Sequence, residues 1–121
     1  MTRSPLALAL LALFAAPALA DGMAVMEKDG MLTDANGMTL YVFDKDKDGV
    51  SACYDQCAEN WPPLLAAADA KAEGEYGLTD RTDGTKQWTH EGMPLYLWVQ
   101  DKKPGDMTGD GVNGVWHIAK D

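Results

Sequence analysis

The chain has 121 residues, with 10 basic and 19 acidic side chains and a formal net charge of −9 at pH 7. This length fits one domain, and so acidic a surface argues against nucleic acid or anionic lipid as partners, because both would be repelled. The charge favours solubility and attraction to a cation or a basic protein partner.

Residues 1–20 have the pattern of a cleaved secretory signal peptide. Arg3 supplies the positive charge, residues 5–16 form an apolar run, and Ala18, Leu19 and Ala20 make a small-x-small cleavage site. The run is shorter than the roughly 20 apolar residues that span a bilayer. We predict cleavage near Ala20, no membrane span, and a mature domain over residues 21–121 in the periplasm or outside the cell.

An internal repeat organises that domain. Residues 37–61 recur as residues 92–116 without a gap, with eight identities in 25 aligned positions. Self-similarity of this kind indicates repeated supersecondary units that pack on one another. We predict two tandem repeats, at about 29–63 and 83–118, within a single domain. The identical positions of the first copy are Gly37, Met38, Leu40, Tyr41, Asp46, Lys47, Asp55 and Trp61.

Short apolar or alternating segments bounded by Asp-Gly and Asn-Gly pairs predict a mostly β fold. Such pairs favour tight turns with positive φ. Short strands at this spacing are typical of a small antiparallel sandwich or barrel. The predicted strands lie near residues 23–27, 31–34, 38–43, 76–80, 86–90, 94–99 and 114–119.

Segments 39–43 and 94–99 are predicted to be central strands that are buried on both faces. Successive side chains of a strand point to opposite faces, and here both sets are apolar. One face carries the aromatic residues Tyr41, Phe43, Tyr96 and Trp98. The other face carries the aliphatic residues Leu40, Val42, Leu95, Leu97 and Val99.

The two copies differ after the shared strand. Residues 51–60 have helical character and precede Trp61, Pro62 and Pro63, whose prolines neither extend a helix nor donate to a ladder. Residues 104–114 form a Gly- and Asp-rich loop, and the Ala-rich residues 64–75 are either a short helix or a linker. Trp61 and Trp116 occupy equivalent positions in the two copies, and this equivalence indicates a shared role in packing. Function is expected in the unmatched loops 44–57 and 102–114.

Cys53 and Cys57 are the only cysteines of the chain. Export places them in an oxidising compartment, where a disulfide is the default. Such a bridge would fix a local turn. The alternative hypothesis is a redox or copper-handling protein that uses the same two side chains, because a cysteine pair with further soft or imidazole ligands can hold copper.

The residues Asp44, Asp46, Asp48 and Gly49, with Asp55 at the twelfth position, match the spacing of a calcium-binding loop. Alternate carboxylates around a glycine turn supply the converging oxygens that a hard cation needs. The other interpretation is a solvated acidic turn whose carboxylates accept hydrogen bonds from backbone N–H groups. A strand precedes the loop where calcium loops usually have a helix.

No catalytic motif stands out in the sequence. It contains no nucleophile elbow, P-loop, dinucleotide fingerprint or zinc-protease motif, and Ser51 is the one serine after Ala20. Asp46 and Asp101 close the shared strand in the two copies, and they are either catalytic acids or turn-capping residues. We predict that the protein is not an enzyme.

Both copies carry the pattern Y-x-[FWY]-x-x-D, at residues 41–46 and 96–101, with Trp61 and Trp116 following. With these motifs the chain resembles a bacterial secreted-repeat family of unknown function, described as predicted lipoproteins. The resemblance implies an exported, repeat-built domain without established catalytic activity, and it transfers no catalytic residues. Asp21, not a cysteine, directly follows Ala20, so we expect a soluble periplasmic protein without a lipid anchor there. Its expected role is binding or envelope-associated, with calcium as the candidate stabilising ion.

Overall fold

The computed structural model describes residues 24–121. The predicted signal peptide and its cleavage site lie outside the described residues, as does the start of the first predicted strand. Within residues 24–121, no helix is both long and apolar enough to cross a membrane.

Eight short strands, one α-helix and one 3-10 helix make up the described part of the chain. The strands are β1 (Val25–Lys28), β2 (Met31–Asp34), β3 (Tyr41–Phe43), β4 (Leu65–Ala66), β5 (Tyr76–Asp80), β6 (Lys86–His90), β7 (Met93–Pro94) and β8 (Trp116–Ile118). The α-helix α1 spans Gln56–Asn60, and the 3-10 helix spans Val112–Gly114.

The strands form three small antiparallel sheets. β1 pairs with β2, and β3 pairs with β8. In the third sheet β6 is central, with β5 along one edge and both β4 and β7 along the other. The prediction of a mostly β fold made of small antiparallel sheets and two repeats is therefore confirmed, and the arrangement fits its sandwich form.

The first hairpin shows how the turn residues set the register. Asp29 and Gly30 connect β1 to β2 and have φ values of 55° and 82°. Two consecutive residues with positive φ are the requirement of the tight turn that best matches the twist of a hairpin. The turn therefore places Lys28 opposite Met31, and Leu32 enters the core with no exposed surface.

The two repeats complete each other's sheets. Tyr41 of the first copy pairs with Ile118 of the second copy. The equivalent Tyr96 of the second copy pairs with Pro63 of the first. Tyr41 and Tyr96 also pair with each other, each backbone N–H donating to the other's carbonyl at 2.8 and 2.9 Å. Each copy therefore supplies backbone hydrogen-bond partners to the central segment of the other.

The predicted strand over residues 94–99 is wrong in extent, because the regular strand β7 ends at Pro94. The segment that pairs with Tyr96 contains Pro62 and Pro63, which have no N–H to donate to a ladder. The pairing is therefore reduced to an isolated bridge at Pro63. Two further hydrogen bonds run from Leu97 N–H to the Pro62 carbonyl and from Leu64 N–H to the Leu95 carbonyl.

Several other boundaries differ from the sequence-based expectation. The helix occupies only residues 56–60 of the predicted 51–60, and the strand predicted over 38–43 is regular only from Tyr41. Residues 64–75 are not a helix, since they begin with the short strand β4, which pairs along β6. The predicted strands 31–34, 76–80 and 86–90 agree with β2, β5 and β6.

The central segments of the two repeats separate an aliphatic core from an aromatic core. Their alternation is as predicted, apart from Val99, which is 37% exposed. The aliphatic core contains Val25, Leu32, Leu40, Leu64, Leu95 and Ala119, with Val42, Trp88 and Leu97 packed against it. The aromatic core contains Tyr41, Phe43, Cys53, Trp61, Tyr96 and Trp116, with Trp98 packed against it.

Candidate functional site

The aromatic residues of the repeat motif pack on one another in a continuous stack. Trp98, Trp61, Trp116 and Phe43 follow in that order. Successive ring centroids are 3.9, 3.9 and 4.1 Å apart, with interplanar angles of 24°, 3° and 10°. Tyr41 packs nearly perpendicular to Trp61, and Tyr96 packs nearly perpendicular to Trp116, with interplanar angles of 80° and 88°. These rings form a core, which is the packing role that the repeat positions favour.

The tyrosine and the aspartate of the motif meet across the two repeats. The Tyr41 hydroxyl donates to Asp101 Oδ2 at 2.7 Å, and the Tyr96 hydroxyl donates to Asp46 Oδ2 at 2.7 Å. Each bond joins the tyrosine of one copy to the aspartate of the other. We call this reciprocal pair of bonds the Tyr–Asp clasp.

The second oxygen of each clasp carboxylate holds the loop that follows it. Asp46 Oδ1 accepts a hydrogen bond from Ala52 N–H at 2.7 Å. Asp101 Oδ1 accepts from the N–H and the hydroxyl of Thr108, at 2.9 and 2.7 Å. Both carboxylates are buried. This geometry matches the turn-capping interpretation of the two aspartates.

Burial dominates the electrostatics of the clasp. It raises the pKa of Asp46, while hydrogen bonds from Tyr96 and Ala52 and the charge of Arg81 act in the opposite direction. Burial also raises the pKa of Tyr41 and of Tyr96 far above the ordinary value, and the neighbouring aspartates add to both shifts. A negative charge on either phenol would be desolvated and close to a carboxylate.

A buried arginine that the sequence did not single out extends the clasp on one side. Arg81 donates to Ser51 Oγ at 3.1 Å, to Gln87 Oε1 at 2.8 Å and to the Cys53 carbonyl at 2.8 Å. The Ser51 and Tyr96 hydroxyls lie 2.7 Å apart. The one serine after Ala20 is therefore part of a buried hydrogen-bond network.

The predicted disulfide between Cys53 and Cys57 is present. Cys53 is fully buried in the aromatic core, and Cys57 lies in α1. The bridge fixes the turn that leads into this helix, and no free cysteine remains in the described part of the chain. The redox or copper hypothesis requires these thiols in reduced form, and it stays a prediction.

The carboxylates of the predicted calcium loop have separate partners. Asp44 Oδ2 lies 2.8 Å from His117 Nε2, and Asp46 belongs to the clasp. Asp48 and Asp55 are exposed. Among residues 24–121, these four carboxylates form no group of three potential ligands within 4.8 Å of one another. Calcium binding by this loop stays a prediction.

A group of side chains that the sequence analysis did not identify does converge, at one corner of the fold. His90 Nε2 lies 2.7 Å from Glu75 Oε1, and ligand atoms of Glu75, His90 and Asp121 all lie within 4.8 Å of one another. They adjoin a cavity of about 350 Å³, which we call the acidic pocket. The pocket is lined by Ala24, Val25, Glu73, Gly74, Glu75, Tyr76, Trp88 and Asp121.

Three segments that are distant in sequence build this corner. The hairpin of β5 and β6 places Tyr76 opposite His90, so that Glu75 lies beside the end of β6. The carbonyl of Glu75 accepts a hydrogen bond from Glu91 N–H at 2.9 Å. The backbone N–H of Asp121 donates to the Gly30 carbonyl at 3.0 Å, which fixes residue 121 next to the turn between β1 and β2.

Negative charge is concentrated at the acidic pocket. A hydrogen bond with Asp121 and the charge of the same residue raise the pKa of Glu27. Burial, followed by the charges of Glu75, Asp121, Glu27 and Glu91, raises the pKa of Tyr76. Within residues 24–121, no lysine or arginine forms an ion pair with Glu27, Glu75 or Asp121.

The acidic pocket lies outside loops 44–57 and 102–114, where the sequence comparison of the two copies placed function. The neighbouring strands β5 and β6 could have been expected to pair, and this pairing brings Glu75 close to His90. No sequence pattern predicts that Asp121 lies close to these two residues. A shift of 55 positions from Glu75, His90 and Asp121 leads to Ala20, Ala35 and Ala66. The pocket side chains therefore have no counterpart at that spacing in the first copy.

No curated protein and no solved structure matches the chain. A protein family described as a secreted repeat of unknown function matches at residues 23–65 and 77–120. The two matched segments correspond to the two repeats, and the description agrees with export. The resemblance inferred from the Y-x-[FWY]-x-x-D motifs is thereby confirmed, and the chain belongs to this family of secreted repeats.

Proposed function

We propose that the protein is an exported binding domain without catalytic activity and that it binds a small cationic ligand in the acidic pocket. The observation that carries the proposal is the combination of carboxylates and aromatic walls around one cavity. The membership in a secreted family supports export. Cleavage near Ala20 would release the domain into the periplasm.

The chemistry of the pocket suits a cation. Glu73, Glu75 and Asp121 supply negative charge, while Tyr76 and Trp88 supply aromatic surface. A cation near the face of a tryptophan or tyrosine gains roughly 0.5–2 kcal/mol from the ring quadrupole. The cavity volume of about 350 Å³ lies within the range of small-molecule sites, roughly 300–1,000 Å³.

The state of the motif side chains supports a role other than catalysis. Asp46 and Asp101 are buried in the clasp, where each accepts hydrogen bonds on both oxygens. Ser51 is held between Arg81 and Tyr96. The hydrogen-bonding capacity of these three side chains is therefore used within the protein.

Trp88→Leu is expected to weaken the binding of tetramethylammonium about fivefold, because it removes a cation–π contact of about 1 kcal/mol. Glu75→Gln is expected to weaken it as well, and added salt should weaken it further, since exposed charges are screened. Isothermal titration calorimetry at low ionic strength measures these effects.

Glu59→Gln is the matched control, since it removes one negative charge from the exposed surface of α1. Equal affinities of the wild type, Glu59→Gln, Glu75→Gln and Trp88→Leu would contradict a cation site in the acidic pocket.

A further inference from the structure

We propose that Glu75, His90 and Asp121 form a binding site for a divalent transition-metal ion, with Zn²⁺ as the probe ion. The inference rests on the proposed function and specifies the ligand class at the His90 side of the acidic pocket. It concerns residues outside the calcium-like loop and outside the cysteine pair.

The donor set distinguishes between metals. An imidazole nitrogen with carboxylate oxygens suits Zn²⁺ and its neighbours in the first transition series. Calcium sites consist of oxygen donors, typically six to eight of them. His90 therefore favours a transition metal over Ca²⁺ at this corner.

The geometry fixes the imidazole and leaves the carboxylates free to adjust. The His90 side chain is 5% exposed and the Glu75 side chain is 51% exposed. The His90 ring lies 5.1 Å from the Tyr76 ring and belongs to the last residue of β6. Because the nitrogen donor is already fixed, only the carboxylate side chains lose conformational entropy when they close around an ion.

The distance between the two closest donors is compatible with a bound ion after a small movement. His90 Nε2 and Glu75 Oε1 are 2.7 Å apart, a hydrogen-bond distance. Two ligands of tetrahedral zinc, each at about 2.0–2.1 Å, lie roughly 3.3 Å from each other. The half-exposed Glu75 side chain needs to retreat by only a fraction of an ångström for the ion to replace the shared proton.

The charge at the same corner also suits a cation. Within residues 24–121, no lysine or arginine forms an ion pair with Glu75 or Asp121. A bound ion would therefore interact with both carboxylates without competition from a basic side chain of the described residues.

The chain contains its own comparison pair. His117 Nε2 lies 2.8 Å from Asp44 Oδ2, nearly the same distance as in the His90 pair. The two side chains are 45% and 51% exposed, and no third potential ligand joins them among residues 24–121. His117→Gln therefore removes a histidine–carboxylate pair without touching the proposed metal site.

The test is calorimetric titration of Zn²⁺ into the mature chain after removal of metal with a chelator. We expect one equivalent to bind, with about tenfold or greater loss of affinity in Glu75→Gln, Asp121→Asn and His90→Gln. His117→Gln should retain the affinity of the wild type, and Ca²⁺ should bind at least about tenfold more weakly than Zn²⁺. The exposed residues Glu75 and Asp121 keep the test valid if replacement of the buried His90 prevents folding.

Zn²⁺ affinity that is unchanged in Glu75→Gln and Asp121→Asn, or lost in His117→Gln, would overturn the metal site. Absence of Zn²⁺ binding would overturn it as well. Tetramethylammonium binding that depends on Trp88 would in that case leave the proposed cation-binding function intact, whereas failure of both titrations would remove both proposals.

Discussion

Trp116→Ala is expected to lower the free energy of unfolding by about 3–5 kcal/mol, the usual cost of deleting a buried tryptophan side chain. Trp116 is 3% exposed and lies between Trp61 and Phe43, with ring centroids at 3.9 and 4.1 Å. Its removal leaves a cavity in the middle of the stack, at the place where the first copy meets the second.

Urea denaturation followed by circular dichroism measures this loss. Trp116→Phe retains one aromatic ring in the stack and should cost less than Trp116→Ala. Val50→Ala is the surface control, since Val50 is 53% exposed and such substitutions usually change stability by no more than about 0.5 kcal/mol. A Trp116→Ala variant as stable as Val50→Ala would contradict the role of the aromatic stack as the core of the domain.

Alkaline pH is expected to destabilise the protein steeply through the Tyr–Asp clasp. The pKa of Tyr41 and of Tyr96 is raised in the folded state, above the unfolded value of about 10. Their contribution to stability is therefore fully present below about pH 10 and is lost as the pH rises toward the folded-state pKa. Each tyrosine should remove about 1.4 kcal/mol per pH unit in that range, because only the unfolded chain releases the proton.

Urea denaturation at pH 9, 10 and 11 gives the slope of stability against pH. Tyr41→Phe is expected to make that slope shallower by about 1.4 kcal/mol per pH unit, although it also removes the hydrogen bond to Asp101. Val50→Ala, which changes no ionisable group, should retain the slope of the wild type. Identical slopes in the wild type and in Tyr41→Phe would rule out Tyr41 as a source of the alkaline instability.

The Tyr–Asp clasp gives the repeated Y-x-[FWY]-x-x-D pattern of this chain a physical explanation. The motif tyrosine lies in the central segment of one copy, and the motif aspartate lies in the turn that follows the central segment of the other. Because Tyr41 and Tyr96 pair through their backbones, each ring points toward the partner's turn. Within a single copy, the Oδ2 atom of the buried carboxylate would lack its tyrosine donor. The tyrosine and the aspartate of the pattern therefore act together across the two copies.

Local patterns predicted the parts of the fold that depend on neighbouring residues. The alternation of apolar residues located β2, β5 and β6, and the positive-φ pair Asp29 and Gly30 closes the first hairpin. The alternation in the central segments also assigned Tyr41 and Leu40 to the aromatic and aliphatic cores. These features need only strand geometry and turn chemistry.

The features that the sequence did not reveal depend on contacts between distant segments. The extent of the strand around Tyr96 is decided by Pro62 and Pro63 on the opposite segment. Predicting the clasp would require knowing that the central segments of the two copies pair with each other. Predicting the acidic pocket would require knowing that Asp121 lies beside the turn at Gly30. Composition and periodicity carry no information on such approaches.

The repeated and the unrepeated residues thus have different roles in the molecule. The repeated Tyr41, Tyr96, Asp46 and Asp101 hold the two copies together. The unrepeated Glu75, His90 and Asp121 meet at the acidic pocket, where we propose that the ligand binds. Substitutions in the two sets should therefore affect two different properties of the protein.

The most direct test compares Zn²⁺ affinity and unfolding free energy in Asp101→Ala and Glu75→Gln, under conditions where both are folded. Asp101→Ala leaves the Tyr41 hydroxyl and Thr108 N–H without their partner, so it should cost about 1–3 kcal/mol of stability while retaining wild-type affinity within about twofold. Glu75→Gln should lose about tenfold or more in affinity with stability unchanged within about 0.5 kcal/mol. Loss of affinity in Asp101→Ala together with wild-type affinity in Glu75→Gln would contradict the account.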